Sequence, residues 1–181
     1  MLRNVFIATV ALALISACAG KRQPIDAFSE KQRTRMTEKS AYNQADFDFW
    51  AAAYQPTIDD LEAFRSAWVE HGEAFPESKP ITEIEKEARK TSQRVVIIAL
   101  FETNYDLADL KDKSQGWSVH PVPRQITELS ETDVVLRKLM PVRNPWARYF
   151  LLRYSPDILN QAPQIVVSNP TSRVELVLPV R

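Results

Sequence analysis

His71, His120 and Cys18 are the scarce reactive side chains of this 181-residue chain, its only two histidines and its one cysteine. His120 follows Ser118 by two positions, and residues i and i+2 of a strand face the same side, so the spacing permits a Ser–His contact. A hydrolytic triad also needs an orienting acid and an oxyanion hole, and no Gly-x-Ser-x-Gly turn occurs. Glu70-His71-Gly72-Glu73 offers metal-ligand types, but His71 falls where a helix should end, a place that favours a cation on electrostatic grounds alone. The carboxylate pairs Asp46/Asp48 and Asp59/Asp60 have ordinary structural explanations, the second at a helix start. Asp106, Asp109 and Asp112 lack the Gly-centred spacing of an EF-hand. The three glycines, Gly20, Gly72 and Gly116, make no phosphate-cradling loop. A single cysteine excludes an internal disulfide and a cysteine-rich zinc site. The expectation is a protein without catalytic residues, metal or cofactor, and not an enzyme.

Arg143-Asn144-Pro145-Trp146-Ala147-Arg148-Tyr149 interleaves cations and aromatics. Trp and Arg are enriched at interface hot spots, so Arg143, Trp146 and Arg148 are the candidate partner contacts. Alternation along the following strand places Arg148 on the side of Phe150, Leu152 and Tyr154, at a rim near Trp146. The 23 Lys+Arg balance the 23 Asp+Glu, which argues against nucleic acid, whose binders are clearly basic.

The elements that must position these residues follow from periodicity. Ala41 to Gln55 reads as a helix, with Phe47, Trp50 and Tyr54 at i, i+3 and i+7 and three alanines of high helix propensity. Pro56 ends it. Thr57 caps a second helix with Asp60 three residues on, carrying Ile58, Leu61, Phe64 and Trp68 on one face and Gly72 just past its end. A third helix covers Ser78 to Lys90. From Arg94 the period changes: Val95–Phe101 reads as a strand buried on both faces. Trp117–Val122, Gln125–Leu129, Val134–Met140, Ala147–Tyr154, Gln164–Ser168 and Arg173–Val180 follow as further strands, the last two joined as a hairpin.

The N-terminus reads MLRNVFIATVALALISAC. Its uncharged run, Val5–Ala17, is shorter than the ~20 residues of a membrane-spanning helix and fits a secretory h-region after Arg3. Ile15-Ser16-Ala17-Cys18 resembles the lipobox of bacterial lipoproteins. The resemblance implies cleavage before Cys18, a diacylglyceryl group on its sulfur and N-acylation of the new terminus. Ala19 in place of Asp implies, by the enterobacterial sorting pattern, the outer membrane.

The expected organisation is a signal peptide over 1–17, a lipidated tether over 18–40, a helical region over 41–91 and a β-sandwich over 92–181. The fold class is α+β: an N-terminal helical hairpin packed on a C-terminal immunoglobulin-like antiparallel β-sandwich. Tyr105, Leu107, Leu110, Gly116 and Trp117 also resemble a set of bacterial envelope lipoproteins, a likeness that brings no activity with it. The function expected is that of an outer-membrane-anchored, non-enzymatic interaction or assembly component. Its partners would be the bilayer, through acylated Cys18, and an envelope protein met on the periplasmic side. The alternative is a glycan- or lipid-binding module.

Overall fold

A computed structural model describes residues 24–161 and 163–179. The leader and Cys18 lie outside the described residues. Chain order is α1 (Pro24–Arg33), β1 (Thr37–Asn43), β2 (Asp46–Tyr54), α2 (Ile58–Val69), α3 (Lys79–Ala88), β3 (Arg94–Glu102), β4 (Ser118–His120), β5 (Gln125–Leu129), α4 (Val134–Leu139), β6 (Arg148–Tyr154), α5 (Pro156–Gln161), β7 (Gln164–Ser168) and β8 (Arg173–Val177). Five strands form one open antiparallel sheet in the order β1-β2-β3-β6-β5, and three form a second, β4-β7-β8.

The larger sheet is the middle of three layers. Alternation sends Phe49, Val96, Ile98, Leu100, Phe150 and Leu152 toward the small sheet, where they meet Trp117, Val119, Ile165, Val167 and Leu176. The alternate residues, Ala52, Ile97, Tyr149 and Leu151, face Ile25, Leu61, Phe64, Ile81, Ile84, Leu136 and Leu139 of the helices. A strand covered on both sides has no polar face, which is why β3 reads as an unbroken apolar run.

This arrangement corrects the expected architecture. Helices and strands interleave along the chain, and both sheets are open, in place of a helical hairpin followed by an immunoglobulin-like sandwich. Residues 46–54 form a strand, with Ala51, Ala52 and Ala53 all fully buried. Their small side chains fit where two layers press on one strand, and tertiary packing overrides their helix propensity. Much of the segment read as a tether is structured: α1 buries Ile25, Ser29 and Gln32, and β1 follows it.

Val134–Met140, expected as a strand, is largely helical. The Asp133 carboxylate caps it by accepting from Leu136 N at 2.7 Å, and Val135, Leu136 and Leu139 share its buried face. The second and third expected helices match α2 and α3. Thr57 and Asp60 form a reciprocal capping box, and Ser78 accepts from Ile81 N ahead of Pro80.

Candidate functional site

At the β1–β2 end of the middle sheet, the helix-side face carries a shelf of aromatic rings. Trp50 of β2 lies opposite Phe101 of β3 in register. Phe47 joins them, its ring centroid 6.1 Å from that of Phe101, and Tyr42 of β1 meets Phe47 edge-on at 6.1 Å. Phe47, Trp50 and Phe101, with Arg143, Asn144 and Pro145, line an open depression of about 420 Å³.

The hairpin is built to show these rings. Ala41 pairs with Phe49 and Tyr42 with Phe47, so Asp48 is the extra residue of a β-bulge. The Asp48 carboxylate accepts from Thr171 Oγ1 at 2.7 Å and from Asn169 Nδ2 at 3.1 Å, fastening the hairpin to the β7–β8 turn. Burial, with the nearby charge of Asp48, holds the Glu102 carboxyl above its ordinary range.

Of the expected partner contacts, Arg143 lines this depression and Trp146 follows Arg143 by three residues in the same loop. Trp146 is 71% exposed. The Arg143 side chain is 82% exposed, and its Nε lies 3.3 Å from Glu38. Asn144 turns this loop by accepting from Trp146 N at 2.9 Å.

Arg148 is placed differently. It occupies the inter-sheet side of β6, as alternation requires, but its side chain is only 10% exposed. It donates to Glu128 at 2.6 Å and to Asp109 at 3.2 Å, and its guanidinium lies 5.3 Å from the Tyr105 ring centroid. Arg148 is thus a buried tie between β5, β6 and the loop after β3. Arg153 is its counterpart on the helix side, bound to Glu83, Glu87 and Thr127.

The remaining candidates stay apart. Ser118 shares a hydrogen bond with Ser168 at 2.7 Å, and His120 stands exposed on the same strand. His71 Nε2 is 3.8 Å from Glu73. Among the described residues no three His, Cys, Asp or Glu side chains are grouped to hold a metal ion, and no helix is long and apolar enough to cross a membrane. A cleft of about 620 Å³ opens at the other end of the sheet beside Thr57, Gln93 and Leu159. Two of its polar side chains are engaged elsewhere, Thr57 in the α2 cap and Gln93 on Glu87.

Sequence periodicity placed Phe47 and Trp50 on a buried helix face and Phe101 in a core strand. Their meeting depends on a pairing between residues far apart in the chain, and no local pattern signals it. The chain matches no protein family, no characterised protein and no solved structure.

Proposed function

We propose that this protein is a non-enzymatic lipoprotein of the outer membrane, anchored through acylated Cys18, which holds an envelope protein partner at the aromatic shelf from the periplasmic side. The anchor rests on the lipobox resemblance of Ile15-Ser16-Ala17-Cys18. Two acyl chains or more make such an anchor stable, since one chain alone is marginal.

The shelf carries the partner reading. Tyr42 is 61% exposed and Phe47 38% at a depression that is wide and shallow, and Trp146, in the loop that supplies Arg143, Asn144 and Pro145 to it, is 71% exposed. Small-molecule sites are concave and enclose most of the ligand between apolar walls and convergent polar groups. An open aromatic surface beside an exposed arginine has instead the composition of a protein interface core.

The test places a photo-crosslinking residue at Tyr42 in cells. A single crosslinked partner, lost in Phe47→Ser and Trp146→Ala variants that keep the wild-type melting temperature, is the expected result. A crosslinking pattern unchanged by both variants overturns the shelf as the contact. For the anchor, Cys18→Ser should abolish acyl labelling and shift the protein out of the membrane fraction. Absence of acyl label on the wild type overturns that part.

A further inference from the structure

We propose that the strip formed by α1 and the segment 137–143 lies against the anionic phospholipid headgroups of the bilayer that carries the anchor. The proposal rests on the lipid-anchor reading and adds an orientation to it. Pro24, the first residue of α1, follows Cys18 by six residues. Six residues fully extended span at most about 20 Å, so a body that begins at Pro24 stays close to the surface holding Cys18. The intervening chain carries Lys21 and Arg22.

The segment after α4 begins runs beside α1 from end to end. Lys138 pairs with Asp26 near the start of α1, the Ser29 hydroxyl donates to the Lys138 carbonyl at 2.9 Å, and Arg33 at its end donates to the Pro141 carbonyl at 3.2 Å. Two exposed arginines on this strip are held by neutral groups. Arg33 donates to that carbonyl, and Arg137 donates to the Glu131 carbonyl at 2.6 Å. Among the described residues neither has a carboxylate partner, as Arg94 and Arg124 elsewhere on the fold also have none, whereas Arg35, Arg65, Arg148 and Arg153 are each paired. Fixed guanidinium groups with their charge uncompensated suit phosphate, which they bind with parallel N–H donors. The strip continues to Arg143, where the aromatic shelf begins, so the partner site would open beside the membrane.

The test uses the full acylated protein, reconstituted into vesicles of phosphatidylcholine alone or with about one-third phosphatidylglycerol and recovered by flotation. Phenylglyoxal modification of each arginine is then read by mass spectrometry. Arg173, on the far sheet with its side chain 75% exposed, is the internal reference. Relative to Arg173, modification of Arg33 and Arg137 should fall about fivefold or more in the anionic vesicles, the factor expected for one cation at such a surface. It should recover at high salt, which screens the attraction. Equal modification in both vesicle types overturns this orientation and leaves the anchor standing. Failure of the protein to float with either vesicle overturns the anchor reading, and the orientation with it.

Discussion

Gly116 lies directly beneath Pro170: a Cβ on Gly116 would stand 2.6 Å from Pro170 Cγ. Gly116 also has φ +76, in the left-handed region that disfavours side chains. The contact joins the loop before β4 to the β7–β8 turn. Gly116→Ala should therefore cost about 2 kcal/mol or more, combining left-handed strain with overlap. Thermal unfolding should show a drop of roughly 4–8 °C for a chain of this size. In a Pro170→Ala background the same change should cost less, because the overlap is gone while the strain persists. An equal cost in both backgrounds would show that the close approach has no energetic weight.

Gln44 at the β1–β2 turn adopts φ 57 although it is not glycine. Asn43 and Asp46 pair across this two-residue turn, a geometry that favours glycine where φ is positive. Gln44→Gly should raise stability by about 0.5–1 kcal/mol, relief of the left-handed strain outweighing the added freedom of the unfolded chain. Denaturant unfolding measures it through a higher midpoint at unchanged slope.

Acid sensitivity should arise in part at Glu87. Hydrogen bonds from Lys90, opposed by burial and reinforced by Gln93 and Arg153, hold its carboxyl at about 2, below the ordinary 4.5. A depressed carboxylate stabilises the fold above its unfolded value and loses that contribution as pH falls toward its folded value. Glu87→Gln should therefore melt below wild type near neutral pH, with the gap closing between about pH 5 and pH 2. A gap independent of pH would assign the loss to packing and exclude the ion pairs as its source.

Local signals are legible where they are self-contained. The Thr57–Asp60 cap, Pro80 at the start of α3, the apolar run of β3 and the β7–β8 hairpin each announce themselves within a few residues. Other segments take their structure from distant partners. Ala51–Ala53 reads as helix until the layers on both sides are known, and α1 reads as tether because Ile25, Ser29 and Gln32 become buried only against α2 and α4. The same cause hid the shelf: Trp50 and Phe101 are neighbours only through the β2–β3 pairing.

Trp146 and Arg148, two residues apart, should respond oppositely to mutation. Trp146 is 71% exposed, so Trp146→Ala should change stability by no more than about 0.5 kcal/mol. As an interface anchor it should weaken partner recovery by about 2 kcal/mol, roughly thirtyfold. Arg148→Ala leaves Asp109 without the guanidinium and Glu128 with Lys111 as its remaining cation, and losing the hydrogen bonds of such a largely buried group costs about 2 kcal/mol. Its effect should appear first in the melting temperature, with any loss of partner following loss of fold. Measuring both quantities for both variants separates the roles. If Arg148→Ala keeps the wild-type melting temperature but loses the partner, the guanidinium is a contact residue and its tie to Glu128 is incidental. If Trp146→Ala unfolds the protein, its exposed ring is structural and the shelf ends at Arg143.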